Sequence, residues 1–419
     1  MKFGSNTFHW VPTQLLEIFD TLRFYVDTNW VTEKEGLYKF DPAYSARGEF
    51  DKYLTKLQDK GIAPVFCLHN TPRWLQAKQG QTDPEAAPAI PGMSRTDPAA
   101  YRHFAEACFQ VAARYGNTVH PNSALKIDTS ERWTNEGKNA VVSGLGLLKY
   151  IEVWNEPNKF WKGNSPANMT PQEYAAMLSA CYDGHEGRLG SGYGIKTADN
   201  TMRVVMGGLA GLNSDYILQM GKWFNENRTD KRFAADVINA HHYCNEDPSG
   251  VNIRGASPEA DNLRLRIADF KHVCDMVAYG LPIWLSEFGY DTDAGSPQYV
   301  PEKEQGKLLV RSFHEGAAAG LSAMFIYNAA DEPNPKAGLY TSSGFLYGES
   351  RMPQYQPKHA YSSLAVMIRN LKGKTLKGES IDKDGTRVQL WGDSAGAVVC
   401  RWNPNSKTVK SAVRYVPMG

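Results

Sequence analysis

Tyr150-Ile151-Glu152-Val153-Trp154-Asn155-Glu156-Pro157-Asn158 is the stretch on which the reading of this chain turns. Its first half is a short apolar-rich run of strand formers, and Pro157 cannot continue a sheet ladder. The run therefore reads as a buried strand stopping at Asn155-Glu156. That places an ionisable side chain at the lip of a sheet, followed at once by a loop, where α/β proteins keep their chemistry. A second stretch, Leu281-Pro282-Ile283-Trp284-Leu285-Ser286-Glu287-Phe288-Gly289-Tyr290, has the same grammar: apolar strand, terminal glutamate, glycine turn.

Around these two runs, strand-like and helix-like segments alternate along the chain. Strands are expected at residues 2–8, 23–27, 63–69, 150–155, 204–209, 237–243, 282–287 and 323–327. Amphipathic helices are expected at 49–60, 99–115, 171–183, 215–227, 262–278, 302–319 and 358–371. Eight strands alternating with helices, with no Gly-rich dinucleotide turn after the first strand, predict an α/β fold of the (β/α)8 TIM barrel type. The barrel is expected to span 1–372. Residues 373–419, with turn signals at Asp382-Lys383-Asp384-Gly385 and Asp393-Ser394-Ala395-Gly396, read as a small C-terminal β appendage packed on it. Loops that follow strands line the active face of a barrel, which assigns 29–48, 70–97, 158–170, 244–261, 290–300 and 328–357 to that face. The long connections 117–149 and 185–203 follow helices and are expected at the opposite end. Tyr182-Asp183-Gly184-His185 then reads as a helix terminus.

The 419 residues exceed the roughly 250 of a minimal barrel, leaving room for insertions. Lys+Arg (46) and Asp+Glu (45) nearly cancel without a run of one sign, which argues against a nucleic-acid partner or an anionic membrane surface. No apolar run approaches the ~18 residues of a membrane span, so no membrane insertion is expected. The six cysteines lack metal-ligand or CxxC spacing and are expected to be mostly free and buried, with no zinc site. No signal-peptide pattern opens the chain. A secreted, periplasmic or cell-surface setting is expected if a leader has been removed.

Strands four and seven lie nearly opposite in an eight-stranded barrel, which brings Glu156 and Glu287 to its mouth. Two carboxyl groups about 5 Å apart suit retaining glycoside hydrolysis, one protonating the leaving oxygen while the other attacks the anomeric carbon. The first must be protonated while the second is ionised, so a bell-shaped pH profile is expected. The remaining alternatives are local capping by each glutamate, or a carbohydrate-binding pseudoenzyme on the same barrel. A metal-dependent barrel hydrolase is a third, and His241-His242 is its only sequence support.

Trp154-Asn155-Glu156-Pro157 followed by Ser286-Glu287-Phe288-Gly289 resembles the acid/base and nucleophile signatures of the clan A glycoside hydrolases, retaining (β/α)8 enzymes. With Ile151-Glu152-Val153 ahead of the first signature, and His241-His242-Tyr243, the chain is most similar to family 39, less closely to family 5. The resemblance implies that Glu156 is the general acid/base, Glu287 the nucleophile, and Asn155 the binder of the sugar 2-hydroxyl. It implies that Arg23 and the Tyr243 hydroxyl hold the nucleophile, with His241 alongside and His242 turned away. It implies a carbohydrate partner and no cofactor or metal. His69 and Asn70, closing the third strand, are candidates for sugar hydroxyls, and Trp161, Trp74 and Trp10 for stacking on sugar rings. The clan's floor tryptophan is replaced by Phe325-Ile326-Tyr327-Asn328, where Tyr327 or Asn328 would substitute. Asp331-Glu332 is expected to be solvated.

Overall fold

The computed structural model describes residues 1–45, 48–134, 137–245, 254–333, 338–404 and 413–418. Each of the eight expected strands is present. They are β1 (Lys2–Thr7), β2 (Thr21–Asp27), β3 (Ala63–His69), β4 (Tyr150–Val153), β5 (Arg203–Met206), β7 (Ile238–His241), β8 (Ile283–Phe288) and β9 (Ala323–Ile326). The short β6 (Leu209–Ala210) follows β5 across Gly207-Gly208. The chain divides into two compact units, one formed by Arg23–Ala240 with His272–Pro282, the other by Met1–Leu22, His241–Lys271 and Ile283–Gly419.

In the first unit the strands run in the order β5-β4-β3-β2. The β3–β4 and β4–β5 ladders are parallel, with Val65 opposite Tyr150 and Tyr150 opposite Arg203. Helices Phe50–Asp59, Arg102–Tyr115, Pro171–Asp183 and Ser214–Asn227 stand where periodicity places them. Pro171–Asp183 shows why. Thr170 Oγ1 accepts the Glu173 N–H, Glu173 returns a bond to the Thr170 N–H, and Pro171 opens the first turn. Gly184, left-handed at φ 66°, then closes the helix. His185, bonded to Ser179 Oγ at 2.9 Å, belongs to that terminus.

One placement differs from expectation. The 117–149 connection does not stay at the far end, because the Tyr38 N–H donates to the Lys126 carbonyl and Asn139 Oδ1 accepts from the Phe40 and Asp41 N–H groups. Its middle therefore climbs along helix Arg102–Tyr115, where Gln110 Nε2 bonds the Ala124 carbonyl, to the loop that follows β2. A long insertion must satisfy its own backbone, and the loop after β2 supplies part of that, the Tyr38 carbonyl accepting the Asp128 N–H at 2.8 Å.

In the second unit β1-β9-β8 are neighbours and parallel, with Lys2 and Trp284 both opposite Ala323. Helices Glu302–Ala318 and His359–Leu371 pack together. The C-terminal run forms a four-stranded antiparallel sheet, β10 (Thr375–Ile381), β11 (Arg387–Asp393), β12 (Gly396–Trp402) and β13 (Arg414–Met418). Both expected turns are present, and Gly385 (φ 82°) and Gly396 (φ 147°) supply their positive φ. The sheet is fastened to helix Glu302–Ala318 by buried polar contacts. Gln389 Nε2 donates to the His314 carbonyl at 3.0 Å, and its Oε1 lies 2.7 Å from His314 Nδ1 and accepts from Trp391 Nε1.

Burial pushes the His314 imidazole down to about 4. A base depressed in the folded state binds its proton only on unfolding, so its stabilisation is present above about pH 6.5 and lost as pH falls through 4. His314→Leu should flatten the fall of the urea midpoint between pH 6.5 and 4.5, a window worth up to about 3 kcal/mol for one such group. An unchanged slope would mean that other groups carry it. No helix among the described residues is long and apolar enough to cross a membrane.

Candidate active site

Strand β4 leaves its ladder at Val153, two residues earlier than the apolar pattern suggests, because Trp154 takes φ 74° and Glu156 φ 47°. Two left-handed residues two apart abolish the pleat, so Asn155 and Glu156 are not forced onto opposite faces. The turn is held from below: the Trp154 N–H donates to the Leu68 carbonyl at 2.8 Å and the Glu156 N–H to the Gly208 carbonyl at 3.0 Å. Gly207 permits this approach, since a Cβ there would lie 2.7 Å from the Val153 oxygen. Lys159 Nζ donates to the carbonyls of Asn155 at 2.6 Å and Glu156 at 3.0 Å, tying the turn from its other side.

Arg23 is fully buried and forks onto Glu152, Nε to Oε2 at 2.6 Å and Nη2 to Oε1 at 2.8 Å. Nη2 also donates to Asn155 Oδ1 at 2.8 Å. Glu152 is thus a partner of Arg23 that the sequence reading missed. A charge in the middle of an apolar strand was its available signal, since it is stable only against a buried counter-charge. Glu152 Oε1 further accepts the Gly208 N–H at 3.1 Å, so one carboxylate ties Arg23, Asn155 and the Gly207-Gly208 turn together. Asn70, at φ 67°, donates to Asp27 Oδ2 at 2.8 Å, and Asp27 is another residue that local pattern did not mark. His69 packs edge-on to Tyr25 at 5.2 Å, and burial pushes its imidazole down to about 4, leaving it a neutral donor or acceptor near pH 7.

In the other unit, β8 carries Glu287, 5% exposed. The Tyr243 hydroxyl donates to its Oε2 at 3.0 Å, and His241 Nε2 lies 3.4 Å from Oε1 and 3.0 Å from Ser286 Oγ. Asn6 Nδ2 donates to the Ser286 carbonyl at 2.7 Å, fixing the backbone beside the carboxylate. A side chain at Gly289 would collide with the Tyr327 carbonyl, which explains the glycine after the strand. His242 faces away, with Nε2 2.7 Å from Asp261 Oδ2. The Tyr327 N–H donates to the Phe288 carbonyl, placing Tyr327 at the end of β9.

Tyr340 is the residue here that no local signal announced. Its ring lies 4.5 Å from that of Tyr243 and 6.1 Å from that of Tyr327. It sits at φ 68°, its N–H bonded to Asp291 Oδ2 at 2.8 Å. The expectation of a solvated Asp331 is corrected: it is 2.7 Å from Lys358 Nζ, and burial pushes its carboxyl up to about 6 in spite of that cation.

Of the tryptophans, Trp161 is 52% exposed on a one-turn helix beside Phe160, and Trp10 is 47% exposed and stacked on Phe8. Trp74 packs edge-on to His103, 5.1 Å between ring centroids. All six cysteines are free and buried. Cys244 and Asp261 supply the extra ligand atoms beside His242 that sequence spacing did not show. Burial pushes the Cys244 thiol well up, and Asp261 is already committed to His242 and to the Asn245 N–H.

No protein-family model matches the chain, and no curated protein is similar to it in sequence. Solved structures match it in fold. A family 39 glycoside hydrolase from the gut symbiont Bacteroides cellulosilyticus WH2 superposes with a TM-score of 0.64 at 15% identity, over 97% of this chain and 71% of that one. The fold is a (β/α)8 barrel. A family 30 endoxylanase from Clostridium papyrosolvens C71 matches this barrel at a TM-score of 0.54 and 15% identity, over 100% and 91% of the two chains. A family 51 α-L-arabinofuranosidase from Bifidobacterium longum matches at 0.56 and 11%, over 97% and 82%. In this barrel the two signature glutamates stand at the carboxyl ends of β4 and β8, the ends from which barrel enzymes build their sites.

Proposed function

We propose that the chain is a retaining β-glycoside hydrolase acting on β-linked oligo- or polysaccharide, with residues 1–372 as the catalytic barrel and 373–419 as its appendage. The observation that carries this reading is the setting of Glu287, whose Oε2 accepts from Tyr243 while Oε1 lies beside His241. Such contacts orient a carboxylate for attack and stabilise its charge. In the first step a Glu287 oxygen bonds to the anomeric carbon, the glycosidic C–O bond breaks, and Glu156 gives its proton to the departing oxygen. In the second, Glu156 takes a proton from water, the water oxygen bonds to the anomeric carbon, and the ester to Glu287 breaks. Asn155, oriented by Arg23, is assigned to the sugar 2-hydroxyl. His69, Asn70, Trp161 and Tyr327 are assigned to the rest of the sugar. No cofactor or metal takes part.

The test is a panel of β-linked glycans followed by NMR of the first-formed anomer. β-Anomeric product supports the reading, and α-anomeric product or no turnover on any member overturns it. Tyr243→Phe removes one hydrogen bond to a charged group, typically worth about 1.5–3 kcal/mol, and should lower kcat/KM about 10- to 100-fold with the fold intact. A loss under threefold would remove Tyr243 from the site.

A further inference from the structure

A cleft of 380 Å³ lies on the unit that carries Glu156, within the range of about 300–1,000 Å³ usual for small-molecule sites. It is lined by Asn158, Phe160, Asn168, Asn213, Asp215 and Gln219, among others. We propose that this cleft binds the leaving-group side of a neutral β-linked oligosaccharide, an inference that rests on the reading of Glu156 as the acid.

Four observations point there. First, the cleft lies next to the acid along the chain, since Asn158 lines it and only Pro157 separates Asn158 from Glu156. A group departing from the sugar takes its proton from Glu156, so the loop that follows is the one it meets. Second, the cleft is built rather than incidental. Asn158 Nδ2 donates to the Ala210 carbonyl at 3.0 Å and its Oδ1 accepts the Ala210 N–H at 2.8 Å, joining the loop after β4 to β6. The Met169 N–H closes the loop on the Pro157 carbonyl at 2.8 Å.

Third, Phe160 is 70% exposed on that wall, with Trp161 edge-on at 5.1 Å. A large ring kept in water on a tied loop offers a flat apolar face, which matches the C–H face of a pyranose. Fourth, the polar lining is mostly amide. Asn213 uses its Oδ1 to cap helix Ser214–Asn227, and Gln219 Oε1 accepts from Gln172. The side-chain NH2 groups of both are donors suited to sugar hydroxyls, and Asp215 adds an acceptor. The lining contains a carboxylate and no cation, and the nearby Lys159 and Lys162 are paired with Glu85 and Asp83. Uronate and phosphate polymers therefore find no counter-charge, whereas neutral chains do not need one.

The experiment compares wild type with Phe160→Ala and Gln219→Ala. The probes are cellohexaose, xylohexaose, mannohexaose and laminarihexaose, assayed beside the p-nitrophenyl β-glycoside of the sugar turned over. Phe160→Ala should lower kcat/KM on the preferred hexaose about 10-fold and Gln219→Ala about 3-fold, with the aryl glycoside held within twofold. Equal losses on both substrates, or none on either, would overturn the proposal. Calorimetric titration of the same hexaoses separates it from the hydrolase reading. If nothing is turned over but a hexaose binds wild type about 10-fold tighter than Phe160→Ala, the cleft is a glycan site, and the hydrolase reading fails together with the leaving-group assignment. If no hexaose binds wild type, the cleft assignment fails.

Discussion

Glu287→Gly should lower kcat on an activated aryl β-glycoside by at least about 10⁴-fold, and added azide should restore turnover while giving the α-glycosyl azide. The effect is steric and stereochemical. Removing the carboxyethyl arm from the end of β8 leaves Tyr243 and His241 around a space that a small anion can enter from the face the nucleophile used. The anion displaces the aryloxide once, so the anomeric centre inverts and no second displacement restores it. The folding cost is modest, since glycine in a strand interior costs about 0.5–1 kcal/mol. Circular dichroism and the urea midpoint would show whether a lost rate is merely lost structure. A β-azide, or retained hydrolysis without azide, would remove Glu287 from the nucleophile's role.

The barrel was legible because its periodicities are strong and its punctuation is chemical. Helix Pro171–Asp183 was bounded to the residue by a capping threonine, a first-turn proline and a closing glycine, all of them local signals. β4 ends two residues before its apolar pattern does, for the opposite reason. Trp154 is apolar and buried like the strand before it, and only its φ of 74° removes it from the ladder. Of the residues around the glutamates, those in the two signatures were legible because each stands at a strand end. Asp27, Tyr340 and Asp291 were not, because their partners are supplied by loops whose paths sequence does not fix. Glu152 and Arg23 are an intermediate case. Each is an isolated charge inside an apolar strand, so a buried ion pair was deducible, although its geometry was not.

Glu156→Ala should separate substrates by the acidity of their leaving groups. A dinitrophenolate departs without a proton, so kcat/KM for its glycoside should fall less than about 10-fold, whereas for an unactivated sugar leaving group it should fall about 10³- to 10⁴-fold. The same change removes the base for the second step, so the glycosyl-enzyme should accumulate and appear as a burst of phenolate before a slow steady state. Added azide should speed that step and give the β-glycosyl azide, the opposite anomer to that expected from Glu287→Gly. A uniform loss across the leaving-group series would make Glu156 a structural residue instead. Stability offers an independent discrimination. Glu156 occupies φ 47°, a conformation that costs an L-residue roughly 1 kcal/mol or more and costs glycine little. If its side chain served only the fold, Glu156→Gly would lower the melting temperature. If the position is kept acidic for the reaction, Glu156→Gly should melt no lower than the parent while losing the same leaving-group-dependent activity, because the strain at that turn is then retained for chemistry.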